Sequence, residues 1–99
     1  MFTVIYRWRV KSGMEDEFRR VWRARTRKIR AVRGSYGSRL HREDDRQYCA
    51  IALWPSREAY AATEPHLPDD TVDAATWAAC IAETLPPLTM VLVDDLWSL

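Results

Sequence analysis

Hydrophobic positions along this chain switch between a period of two and a period near 3.6, and the switches mark out six elements. Phe2 to Val10 alternates, with Phe2, Val4, Tyr6, Trp8 and Val10 on one face and Thr3, Ile5, Arg7 and Arg9 on the other. Ser12 and Gly13 end that strand. A helix is predicted from about Met14 to Val32, its apolar stripe formed by Met14, Phe18, Val21, Trp22, Ile29 and Val32. Glu15, Asp16 and Glu17 sit at the end of this helix that its dipole favours for acids, and Gly34 stops it. Tyr36 to Arg42 reads as a short polar edge strand, Glu43 to Arg46 as a turn, and Gln47 to Trp54 as a third strand. A short helix from about Ser56 to Thr63 leads to a loop, Glu64 to Pro68. Asp70 then caps a further helical piece, Thr71 to Leu85, which Pro86 and Pro87 stop. Leu88 to Trp97 is predicted as the last strand. The whole is one α+β domain over residues 1–99.

The junction from Cys49 to Tyr60 (C-A-I-A-L-W-P-S-R-E-A-Y) is the most telling segment. Its strand ends in Trp54, because Pro55 has no N–H for a sheet ladder. Ser56 offers its hydroxyl as the cap of the next helix, which places Tyr60 one turn inside. Two aromatic side chains can therefore converge on one cavity.

The third and last strands are apolar on both faces: Tyr48, Ala50, Ala52 and Trp54 against Cys49, Ile51 and Leu53, and Leu88, Met90, Leu92 and Leu96 against Val91, Val93 and Trp97. Two helices cover only one face of a four-stranded sheet, so the other needs a partner. Burying a few hundred square ångströms there contributes on the order of ten kcal/mol gross, before association costs. The expectation is a homodimer packed sheet to sheet; the alternative is a monomer whose Trp97 tail folds back over its own sheet.

Composition narrows the function classes. With 47% apolar residues the chain is globular rather than disordered. No apolar run reaches the roughly 20 residues of a membrane span, and the opening residues, with Arg7 and Arg9 inside an alternating strand, do not read as a signal peptide. Cys49 and Cys80 lie inside apolar elements and share no metal-ligand spacing, which suits a reducing cytoplasm. The two histidines and two cysteines are too scattered for a metal centre. Fourteen of the fifteen Lys and Arg residues fall within residues 1–50, eight of them on the first helix. They cover most of its circumference outside the apolar stripe instead of forming a narrow seam, and no nucleic-acid-binding signature accompanies them. Neither nucleic acid nor membrane is an expected partner.

The element order, the opening Y-R-W-R-V-K-S-G-M-E-D-E-F, the segment Gly34 to Arg42 (G-S-Y-G-S-R-L-H-R) and Leu53 to Tyr60 (L-W-P-S-R-E-A-Y) together resemble the antibiotic biosynthesis monooxygenase family. The resemblance implies a ferredoxin-like βαββαβ fold that dimerises into an α/β barrel. It also implies a monooxygenase without a cofactor, acting on an aromatic quinol, an anthrone or a polyketide-like molecule. The family also includes haem-degrading enzymes, isomerase-like proteins and members that only bind. Family enzymes line their pocket with an aromatic near the end of the third strand and a tyrosine in the following helix, which Trp54 and Tyr60 match. Haem degraders rely on an asparagine at about the position of Tyr6, and the cofactor-free oxygenases also lean on one. This chain contains no asparagine. Haem degradation is therefore not expected, and an oxygenase would orient its substrate with other groups. A non-catalytic binding or scaffold dimer and an isomerase or cyclase are the alternatives.

Cofactor-free oxygenation needs a dry pocket, a base and a donor for the developing charge. The candidate bases are His41 on the second strand and His66 in the loop before the last helix, with Tyr60 as a third catalytic candidate. Tyr6, Trp8, Tyr48, Trp54 and Tyr60 are the expected substrate-binding residues. Arg7 and Arg9 share a strand face and are expected to pair across the dimer.

Overall fold

β1 (Phe2–Val10) keeps its predicted alternation: Phe2, Val4, Trp8 and Val10 are buried, and Arg9 opposite them is exposed. The computed structural model describes residues 1–62 and 71–98. α1 (Glu15–Arg33) opens with three acids and ends on Gly34, whose φ of 78° lies in the left-handed region that favours glycine. β2 (Gly37–Arg42) and β3 (Gln47–Trp54) form a hairpin. Asp44 closes it: its carboxylate accepts hydrogen bonds from the backbone N–H of Arg46 and Gln47, which hold its carboxyl below the usual range. α2 (Arg57–Ala61) starts where Ser56 Oγ accepts the N–H of Ala59 at 3.1 Å. α3 (Thr71–Cys80) passes directly into β4 (Ile81–Val91).

The four strands form one antiparallel sheet in the order β2-β3-β1-β4, the ferredoxin-like arrangement, with α1 packed on it and α3 on α1. Trp77 of α3 meets Trp8 edge-on at 5.2 Å, so both long helices share the sheet face that carries the even-numbered side chains of β1.

The last helix is five residues shorter than its pattern predicts, and the last strand runs over residues 81–91 instead of 88–97. Pro86 and Pro87 do not terminate a helix; they lie inside β4, opposite Tyr6. There the pairing passes from Ile5↔Leu88 to Arg7↔Leu85 through a bulge. β4 is an edge strand, so an N–H missing from its outer side breaks no ladder, and a bulge relieves the inner side. Residues 92–98 carry no regular structure. The loop Glu64 to Pro68 and the cap at Asp70 lie outside the described residues.

The core divides into two clusters joined through Tyr6. One gathers Trp8, Val10, Phe18, Tyr48, Ala50 and Cys80; the other gathers Phe2, Val4, Ala52 and Trp54. Phe18 is the hub of the first, fully buried with its ring 5.6 Å from Trp8, 4.9 Å from Tyr48 and 5.3 Å from Trp77. Phe18→Ala is expected to lower unfolding stability by about 3–5 kcal/mol, read as an earlier midpoint in urea denaturation.

Among the described residues, no helix covers the outer face of the sheet. Ile5 lies between Ile51 and Leu88, and Thr3 between Leu53 and Met90, which makes a continuous apolar strip. Leu88 and Met90 are 53% and 43% exposed. Arg7 and Arg9 flank the strip, paired within the chain: Arg7 Nε to Glu43 at 3.2 Å and Arg9 Nε to Glu83 at 4.0 Å. The C-terminal segment does reach its own sheet, where the Arg39 guanidinium lies 5.6 Å over the Trp97 ring. It leaves Val93 and Leu96 almost fully exposed.

Candidate functional site

Between the inner face of the sheet and α1 lies a cavity of about 460 Å³. Its floor is set by β1 and β3: Tyr6 and Trp8 stack at 5.8 Å, Ala52 leaves room beside them, and Trp54 closes one end. The small side chain of Ala52 sits between large neighbours, so the volume is a direct product of the strand's alternation. Tyr60 of α2 packs on Trp54 at 5.7 Å and on Phe2 at 5.7 Å, held there by the Ser56 cap. At the opposite end stand Trp22 and Trp77.

The roof is α1. Trp22, Arg25, Thr26, Ile29 and Arg33 all line the cavity, at the spacing that puts residues on one helix stripe. The Arg25 guanidinium lies 4.7 Å over the Trp77 ring, a cation–π contact that keeps its charge at the cavity wall. Arg33 is delivered to the Trp54 end by the turn after α1. There Ser35 Oγ accepts the N–H of Gly37 at 2.9 Å and donates to the Leu53 carbonyl, tying the end of α1 to the end of β3.

Trp54 is 2% exposed, and its indole Nε1 is buried without a hydrogen-bond partner among the described residues. A buried donor left unpaired costs about 1–3 kcal/mol.

The expected site residues separate by position. Tyr6, Trp8, Trp54 and Tyr60 line the cavity together. Tyr48 lies on the same sheet face but packs on Phe18 and Trp8 in the first core cluster, and is not among the lining residues. Trp8 and Trp54 belong to different clusters, joined by Tyr6. His41 is exposed and pairs with Cys49, on the face that points away from the cavity. His66 lies outside the described residues. Among those described, the cavity wall has no imidazole and no carboxylate, and no His, Cys, Asp and Glu side chains group into a metal site. Burial pushes the Cys49 and Cys80 thiols up, so both are protonated at neutral pH and neither is a ready nucleophile.

Arg25, Arg33 and Trp77 are cavity residues that the sequence pattern did not single out. Their signal was present in α1: with Trp22 and Ile29 taken as inward-facing, Arg25 and Arg33 fall on the same stripe.

The family model for antibiotic biosynthesis monooxygenase matches residues 1–64. No curated protein matches the chain. A variant of SnoaB, a cofactor-independent oxygenase from Streptomyces nogalater, is 26% identical with a TM-score of 0.73; the match covers 96% of this chain and 95% of that one. A structure from Deinococcus radiodurans in the same class superposes with a TM-score of 0.77 at 9% identity, covering 100% and 99%. One from Bordetella bronchiseptica gives 0.77 at 19% identity, covering 94% and 97%. The last two, at such identities, are similar in fold alone.

Proposed function

The chain belongs to the antibiotic biosynthesis monooxygenase family, and on that premise we propose that it is a cofactor-independent monooxygenase of an aromatic quinol, anthrone or polyketide-like molecule, working in the cavity beneath α1. The observation that carries this reading is the buried indole N–H of Trp54, a donor with no acceptor among the described residues, at the end of an aromatic-walled cavity. A carbonyl or phenolic oxygen of a bound ring satisfies it, and the bond strengthens as charge develops on that oxygen.

The chemistry balances without a cofactor. An anthrone CH₂ loses one proton, and the resulting carbanion gives an electron to dioxygen. The radical pair collapses to a carbon–oxygen bond, and the protonated peroxide then expels water as the second C–H proton leaves. The ring carbon becomes a carbonyl and the other oxygen atom becomes water. Tyr6 and Tyr60 line the cavity wall and carry hydroxyls, and the aromatic walls limit the access of bulk water.

The test is oxygen uptake by purified, metal-stripped protein with hydroquinones, naphthoquinols and anthrones. Uptake above the uncatalysed rate, reduced at least tenfold in Tyr60→Phe, is expected. A second reading, a small-molecule-binding or scaffold protein of the same fold, is favoured by the chain's lack of asparagine and by the absence of a base on the described cavity wall. Binding of the same rings with no uptake selects it. Conversion without dioxygen selects an isomerase or cyclase.

Family members are usually dimers. We propose that this chain forms a homodimer through the outer sheet face, the strip of Ile5, Ile51, Leu53, Leu88 and Met90 meeting its own copy. We propose a cytoplasmic location, a reading that the two unbridged thiols of Cys49 and Cys80 support. No helix among the described residues is long and apolar enough to cross a membrane.

A further inference from the structure

We propose that the cavity selects an aromatic anion: its ligand carries an anionic oxygen, a carboxylate or an ionised phenol, that binds the guanidinium group of Arg25 at one end of the cavity or of Arg33 at the other. The inference rests on the cavity being the substrate site and adds the charge class of what enters it.

Three observations converge. First, both arginines lie on the inner stripe of α1 and line the cavity, whereas Arg23 and Arg27 on the same helix are exposed. The described wall otherwise consists of apolar, aromatic and neutral polar side chains. Positive charge in an apolar, partly enclosed space acts through a lower dielectric than on the surface and is less screened by salt. Second, the two groups are spaced along the cavity. Eight residues at about 1.5 Å rise separate them by about 12 Å, so they stand toward opposite ends, one beside Trp77 and one toward Trp54. A flat ring system lying along α1 meets a guanidinium at either end. Third, the Arg25 guanidinium lies 4.7 Å from the Trp77 ring centre, a contact that holds the charge at the cavity wall, and a guanidinium is the side chain whose donors match a carboxylate or phenolate oxygen. The orphan indole N–H of Trp54 adds a neutral donor at the Arg33 end.

The same charge supplies a chemical consequence. A bound phenol beside a guanidinium group ionises more readily than in water. The described wall holds no imidazole or carboxylate base, so electrostatic stabilisation of the anion takes over part of that task.

The experiment measures binding under nitrogen by quenching of tryptophan fluorescence, so that no turnover is required. The first arm compares 2-naphthoate with its methyl ester. The second follows the visible absorbance of a nitronaphthol to read its ionisation when bound. Naphthoate is expected to bind about tenfold tighter than the ester, or the nitronaphthol to ionise about one pH unit lower when bound. The first outcome identifies a carboxylate and the second an ionised phenol. Either preference is expected to fall about tenfold in one of Arg25→Gln and Arg33→Gln, the arginine at the end where the anionic oxygen binds, to be partly kept in the corresponding lysine variant, and to persist in Arg23→Gln and Arg27→Gln. A preference kept in both Arg25→Gln and Arg33→Gln overturns the proposal. Circular dichroism confirms that each variant is folded. Equal binding of acid and ester together with an unshifted nitronaphthol in the unsubstituted protein overturns the proposal, as does an equal loss in Arg27→Gln. Anion preference without oxygen uptake leaves this inference standing while the oxygenase reading falls; uptake without anion preference does the reverse.

Discussion

Trp54→Phe is expected to lower the oxygen-uptake rate about a hundredfold while leaving the protein folded. The substitution keeps a large ring at the end of β3, against Tyr60, and removes a buried indole N–H that has no acceptor among the described residues. Removing a single preorganised donor to a developing oxyanion typically costs a factor of about 10²–10³ in kcat. Stability should change little or even rise, because the variant no longer buries an unpaired donor. Steady-state oxygen electrode traces and a urea titration on the same preparation read both effects. A variant that retains most of its rate would show that the indole serves packing alone, and the proposed mechanism would lose its main support.

Ile5→Asp should convert the proposed dimer to a monomer. Ile5 occupies the middle of the outer face, between Ile51 on one side and Leu88 on the other, and touches neither core cluster. The fold of each subunit should therefore survive. A carboxylate in a symmetric interface is buried twice, and each copy costs at least about 2 kcal/mol, so the dissociation constant should rise about a thousandfold. Sedimentation velocity across a concentration series measures it. If the unsubstituted protein already sediments as a monomer at tens of micromolar, the C-terminal segment that brings Trp97 under Arg39 covers the strip sufficiently by itself.

Much of the architecture could be read from residues because their constraints are local. The alternation in β1 and β3, the glycine at the end of α1 and the serine cap of α2 each depend on a few neighbours, and each appears where the pattern puts it. The end of the chain was misread for a physical reason. Residues 81–85 lack a strict alternation, and two prolines after a helical pattern normally mark its end. What makes this segment a strand is pairing with β1, more than seventy residues away, and the edge position that tolerates the prolines. The site divides in the same way. Trp54 and Tyr60 were recognisable from a strand end and a cap. Tyr48 shares their face, but lies at the other end of β3, where Phe18 takes up its ring. Arg25 and Arg33 looked like members of a solvated basic surface. Only the packing of α1 on the sheet distinguishes them from Arg23 and Arg27.

The bulge at Pro86 and Pro87 also governs what the sheet cannot do. An edge strand offers a row of N–H and C=O groups to any extended chain that drifts past, and such addition seeds fibrous aggregation. Along β4 that row is interrupted at the Pro86–Pro87 pair, where a donor is missing and the backbone departs from regular register. The opposite edge, β2, is six residues long and carries Arg39, His41 and Arg42. Strand-by-strand growth is thus obstructed at both margins, and self-association is steered from open-ended stacking toward a contact of limited extent, face against face.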